Sequence, residues 1–154
     1  MVVLIVALSA FLLVAGGCPR PAGSPKPSAA QPEPAAAPTA AAGTDIAWLK
    51  SLPEGKQAAQ SQQKPVVVDF FATWCGPCRA MDEETWPNPE VAAAVAKFVA
   101  VRLDVDANQD VANEYSISGI PTVVVLDAGG KEIDRHVGFA TPEELLTLLR
   151  KHSP

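Results

Sequence analysis

The sequence predicts an α/β fold, a mixed central β-sheet with helices on both faces. Three observations carry that expectation. The run Val66-Val67-Val68-Asp69-Phe70-Phe71 is β-branched and aromatic except for one carboxylate, the pattern of a central strand buried on both faces. Helix-start signals, polar caps followed by proline or glutamate, alternate with further β-branched runs. Near the end, Asp127-Ala128-Gly129-Gly130 separates two strand-like runs as a hairpin turn does. Strands alternating with helices, then a hairpin and a closing helix, describe a sheet covered on both sides.

The elements follow in order. Ser51-Leu52-Pro53-Glu54 places Ser and Glu at capping-box spacing with Pro in the first turn, predicting a helix to about Gln63, where Lys64-Pro65 ends it. The 66–71 strand comes next. A helix is expected from about Gly76 to Glu84, and Asn88-Pro89 offers an N-cap and first-turn proline for a short helix to about Lys97. Phe98 to Asp104 reads as the next strand, and Asp106 can cap a helix through Tyr115. Thr122 to Leu126 is another strand, with its hairpin partner at Glu132 to Gly138. Thr141-Pro142-Glu143-Glu144 repeats the capping-box spacing and opens a last helix carrying Leu145, Leu146, Leu148 and Leu149. Met81, Trp86 and Tyr115 read as core, and His136 as a solvated strand residue.

Composition divides the 154 residues into three: a leader at 1–17, a Pro/Ala-rich tether at 18–43 and a folded domain at 44–154. The domain, about 110 residues, is large enough to bury one core without disulfide staples, and a monomer is expected. Twelve Lys+Arg stand against 17 Asp+Glu, a formal net charge of −5, with no basic run longer than Arg150-Lys151. Nucleic acid is bound through clustered cations, so this balance argues against it as a partner.

Met1 to Gly17 is apolar or small throughout, with Ser9 its only hydrogen-bonding side chain. As a helix it would cover about 25 Å, the short end for a membrane span, and it equally fits the apolar region of an export signal. It ends Val14-Ala15-Gly16-Gly17-Cys18, which resembles the lipobox of bacterial lipoproteins, where the cysteine is acylated and becomes the new N-terminus. That resemblance implies lipidation at Cys18 and a membrane-anchored, extracytoplasmic protein of the bacterial periplasm or cell envelope. An uncleaved signal anchor and a soluble exported product are the alternatives. Seven of the 15 prolines fall between Pro19 and Pro38, in a stretch without apolar periodicity. It reads as a disordered tether, spanning about 25–30 Å as a flexible coil.

The chemistry centres on Trp74-Cys75-Gly76-Pro77-Cys78, where the buried strand ends and a helix begins. A thiolate is the nucleophile in disulfide exchange, and the unpaired N–H groups of a helix start lower its pKa. Cys75, at the mouth of the helix, is therefore the attacking thiol. Cys78, one turn in on the same side and less exposed, can close a ring with it and resolve a mixed disulfide. The competing reading is half of a zinc site. No second pair exists, and the remaining candidates are Cys18, His136 and His152. No metal and no cofactor are expected.

With these residues in hand, the 46–152 stretch resembles the thioredoxin superfamily. Trp74-Cys75-Gly76-Pro77-Cys78 matches its active-site motif, Gly119-Ile120-Pro121-Thr122 its cis-proline loop, and Asp69 its buried aspartate. A short helix inserted around Glu84-Thr85-Trp86-Pro87-Asn88-Pro89-Glu90-Val91 makes the domain look like the periplasmic C-terminal domain of transmembrane disulfide reductases. The Trp48 segment and Lys64-Pro65 suit the same branch. The resemblance implies a thioredoxin fold and a redox disulfide between Cys75 and Cys78. It implies a cis bond at Pro121 that presents the Ile120 backbone to an extended substrate chain. Trp74, Gly76 and Pro77 would join Ile120 in contacting substrate. Asp69, the one charge in its run, would take the proton from Cys78, a role that the raised pKa of a buried carboxyl suits.

The expected activity is thiol–disulfide exchange on disulfide-bonded protein clients. Gly76-Pro77 supplies no cation to favour the Cys75 thiolate, which places the potential nearer the thioredoxin end, around −270 mV, than the −120 mV oxidant end. An exported domain so poised acts as a reductase if electrons reach it. The chain has no nucleotide-binding motif, so an external membrane electron donor is implied. The alternatives are a tethered module that binds clients without turnover, and metal delivery.

Overall fold

A computed structural model describes residues 45–154. The leader at 1–17, the tether at 18–43 and the lipidation candidate Cys18 lie outside the described residues.

Helix α1 spans Leu52–Gln62, with the Ser51 hydroxyl accepting the Glu54 N–H and Gln63 left-handed at its end. Strand β1 is Val66–Phe71. Helix α2, Gly76–Ala80, runs directly into a π turn at Met81–Thr85. This differs from the single helix expected to Glu84. The Trp86 N–H reaches back five residues to the Met81 carbonyl at 2.9 Å, widening the last turn. Within that turn Thr85 is fully buried, and its hydroxyl donates to the Ala140 carbonyl at 2.7 Å.

Helix α3 is Pro89–Val95, capped by the Asn88 side chain, and β2 is Val99–Asp104. Helix α4, Gln109–Glu114, starts later than the sequence predicts. Asp106 does not cap it: its own N–H bonds the Asp104 carboxylate, and its carboxylate accepts a bond from Trp74 instead. Strands β3, Thr122–Leu126, and β4, Glu132–Val137, form the expected hairpin, with Gly130 at φ 86 in the turn. Helix α5, Pro142–His152, opens on a complete capping box between Thr141 and Glu144.

The sheet order is β2-β1-β3-β4. β1 pairs parallel to β2 and antiparallel to β3, and β3 pairs antiparallel to β4. Leu49 bridges to Val101, lying along the outer edge of β2. One face of the sheet carries Val66, Val68, Phe70, Val101 and Leu103 against Leu52 and Ala59 of α1 and Tyr115. The other carries Val67, Ala100, Val123 and Val125 against Met81, Trp86, α3 and α5. Met81, Trp86 and Tyr115 are buried in these clusters, as expected of them. Among the described residues no helix is long and apolar enough to cross a membrane.

Candidate functional site

Where β1 ends, the chain turns through Ala72 and enters α2 at Cys75. The Cys75 N–H donates to the Ala72 carbonyl at 3.2 Å, setting the cysteine at the N-cap. Its Sγ accepts the Cys78 N–H at 3.2 Å, the place an N-cap oxygen occupies in other helices. A thiolate there would receive that bond as a charge-assisted one. The two sulfurs are joined in a disulfide across a Cα–Cα distance of 5.3 Å.

Both cysteines are nearly enclosed, Cys75 at 4% and Cys78 at 2% exposed, so the expected contrast between them is small in this disulfide-bonded form. Approach is open beside them, because a Cβ built on Gly76 would meet nothing within 4 Å. Pro77 is exposed on the same turn.

Ile120 packs against the small cluster of Ala72, Cys75 and Cys78. The Ile120–Pro121 bond is cis. The Pro121 carbonyl accepts the Gly138 N–H at 2.8 Å, tying this loop to the end of β4. Trp74 is 65% exposed, yet its indole N–H donates to Asp106 Oδ2 at 2.7 Å. An exposed aromatic beside the cysteines is thus held by a carboxylate from the loop after β2.

Asp69 lies two residues from the end of β1, on the face that also carries Val67 and Phe71. It is 1% exposed, and its Oδ1 has no hydrogen-bond partner among the described residues. Oδ2 sits 3.0 Å from Arg102 Nε, but that N–H is not aligned on it, so the two pair by charge and not through a directed hydrogen bond. Burial raises the Asp69 pKa to about 7; Arg102 opposes the rise and Asp82 adds to it. A carboxyl so placed exchanges its proton near neutral pH, as a general base or acid requires.

Three of these residues were not assigned to the site from the sequence. Arg102 is opposite Asp69 in the parallel register, and a cation inside an apolar strand was the available signal. Asp82 and Asp106 carried none, since each meets its partner only after folding. His136 is half-buried, its ring within hydrogen-bond distance of the Phe139 carbonyl. Among the described residues no group of three or more His, Cys, Asp or Glu stands where it could hold a metal ion.

The family model for thioredoxin-like proteins matches residues 47–128. The chain is 40% identical over 88 residues to a thioredoxin of Chlamydia muridarum, covering 56% of this chain and 81% of that one. Among solved structures, a thioredoxin of Nicotiana alata superimposes with a TM-score of 0.53 at 36% identity, over 66% of this chain and 84% of that one. The C-terminal domain of Neisseria meningitidis DsbD, in its oxidised form, does so with a TM-score of 0.58 at 30% identity, over 69% of this chain and 99% of that one.

Proposed function

The chain belongs to the thioredoxin-like family and is a thiol–disulfide oxidoreductase, and from that premise we propose that it is an extracytoplasmic reductase of protein disulfides, supplied with electrons by a membrane-bound donor. The observation that carries the reading is the Cys75–Cys78 pair, closed as a disulfide at a helix start with open space at Gly76.

Cys75 thiolate attacks one sulfur of the client disulfide, and the other client sulfur leaves with the bonding pair and takes up a proton. The Cys78 thiol then gives its proton to the Asp69 carboxylate and attacks Cys75. The Cys75–client bond breaks, the second client thiolate leaves, and the proton passes to it. Two electrons have moved from the Cys75/Cys78 dithiol to the client, leaving the enzyme disulfide for the donor to reduce. Ile120, packed on the cysteine cluster, offers its backbone to the client chain, with Trp74, Gly76 and Pro77 along the same rim.

Direction rests on Gly76-Pro77, which brings no cation to stabilise the reduced form. Location rests on the apolar leader ending in Val14-Ala15-Gly16-Gly17-Cys18.

The purified protein is expected to reduce insulin disulfides with dithiothreitol as donor, and Cys75→Ser to fall to the uncatalysed rate. Cys78→Ala, able to attack but not to resolve, should accumulate mixed disulfides in intact cells. Most of the activity surviving in Cys75→Ser would sink the assignment.

A further inference from the structure

The inserted stretch from Glu84 to Val91 adds no residue to the cluster around Cys75 and Cys78. It does send one polar side chain across the molecule. Thr85, the last residue of the π turn, is fully buried, and its hydroxyl donates to the Ala140 carbonyl at 2.7 Å. Ala140 is itself fully buried, and among the described residues no backbone N–H bonds its carbonyl. A buried carbonyl without a donor is costly, so the course of the chain at Ala140 depends on the Thr85 hydroxyl.

Ala140 closes the short loop between β4 and α5, and three successive residues of that loop are each tied to a different neighbour. The Gly138 N–H donates to the Pro121 carbonyl at 2.8 Å, the Phe139 carbonyl lies 3.2 Å from His136 Nε2, and the Ala140 carbonyl takes the Thr85 hydroxyl. Gly138 has φ 96, a conformation that glycine allows. Just before it, Val137 Cγ1 stands 4.0 Å from where a Cβ on Gly119 would be, so the loop borders the cis-proline turn. Its backbone is pinned, yet Val137 is 57% and Phe139 38% exposed. Apolar side chains held open beside a reactive disulfide mark a contact surface.

We propose that Thr85 is a positioning residue for client binding: by fixing the Ala140 carbonyl it holds the 137–140 loop where an extended polypeptide lying across the cis-proline turn meets Phe139. The proposal deepens the functional reading above and rests on protein disulfides being the substrate. Thr85 exchanges no electron and no proton. Its effect is confined to clients long enough to reach the loop. A small disulfide meets Cys75 through the open space at Gly76 and is indifferent to it. The rival role is a local one, in which Thr85 braces α2 through the π turn that continues it. Loss of such a brace would shift the potential of the cysteines and slow every substrate alike.

The test uses the full chain in detergent and two substrates: insulin, with dithiothreitol as donor, and the small aromatic disulfide dithiobis(nitrobenzoate), in single turnover by the reduced protein. Thr85→Val, which keeps the side-chain shape and loses the hydroxyl, should raise the insulin KM about tenfold at nearly unchanged kcat. Its rate with the small disulfide and its reduction potential should stay at the wild-type values. Thr85→Ser, which keeps the hydroxyl, should restore most of the insulin KM. Phe139→Ala should raise the insulin KM to a similar degree, and adding Thr85→Val should raise it little further, because both act through one loop. Phe139 is partly exposed, so Phe139→Ala carries the test if Thr85→Val fails to fold, and an unchanged insulin KM in that variant overturns the inference. So does an unchanged insulin KM in Thr85→Val, or a loss shared by both substrates with a shifted potential; each leaves the thiol chemistry standing. A wild-type chain that reduces the small disulfide and not insulin removes the protein-client reading itself, and the inference with it.

Discussion

Under the proposed function, Asp69 would serve catalysis at the expense of stability. Burial raises its pKa from 3.8 to about 7, so the folded protein keeps this proton over a range in which the unfolded chain has released it. The stability linked to the neutral carboxyl is full below about pH 4 and is lost as pH rises through about 7. The loss is on the order of a few kcal/mol. Asp69→Asn removes the charge that causes it. Thermal melts should therefore show the variant gaining over the native protein by more at pH 8 than at pH 5. Equal gains at the two pH values would mean that Asp69 does not titrate between them. Trp74 is a second residue placed against its own preference: an exposed indole that the Asp106 carboxylate keeps from swinging free.

Among the elements, α1 lies closest to the sheet at a glycine. A Cβ added at Gly55 would run into Val101 Cγ2, so helix and strand approach at a spacing that only glycine allows. Alanine would favour the helix by about 1 kcal/mol. Overpacking at a closed contact costs about 1–3 kcal/mol, and in this case the colliding atom is on a β-branched side chain with little freedom to turn. Gly55→Ala should therefore destabilise the protein by about 1–2 kcal/mol in urea unfolding. Adding Val101→Ala should recover part of the loss, seen as a favourable coupling in the double-mutant cycle. Strictly additive effects would refute the close approach. At the other end of the domain, Asp134 on β4 accepts bonds from Lys151 and His152, both at 2.8 Å, and clips the last turn of α5 to the sheet edge. These two partners hold the Asp134 carboxyl well below the usual range.

For the whole molecule, the folded domain and the preceding residues have separate tasks under the proposed function. The domain contains every residue required for exchange. The leader and tether would confine it near a membrane face, raising its encounters with a membrane-bound donor without any new contact. One acyl chain holds only marginally, so stable anchoring needs the several chains that lipoprotein processing attaches. Mass spectrometry of the native protein is expected to find an N-terminus beginning at a diacylglyceryl-modified Cys18. An intact Met1 would replace the lipid anchor with a signal anchor, and a free thiol at Cys18 would replace it with soluble export.

What the sequence determined by itself was local. The β-branched run 66–71, the caps at Ser51, Asn88 and Thr141 and the turn at 127–130 state their structure within a few residues, because backbone preference and capping act over that range. The cysteine pair was legible for the same reason, being set by one strand end and one helix start. The tertiary structure alone decided what depends on pairing across the chain. The order β2-β1-β3-β4 puts Arg102 opposite Asp69, 33 positions apart in sequence, and no window along the chain reports that register. Asp106 left its expected cap because a bond to Trp74, 32 positions away, was open to it. The π turn likewise formed where Thr85 reaches the Ala140 carbonyl, 55 positions on, a partner that exists only once the sheet and α5 have closed over it.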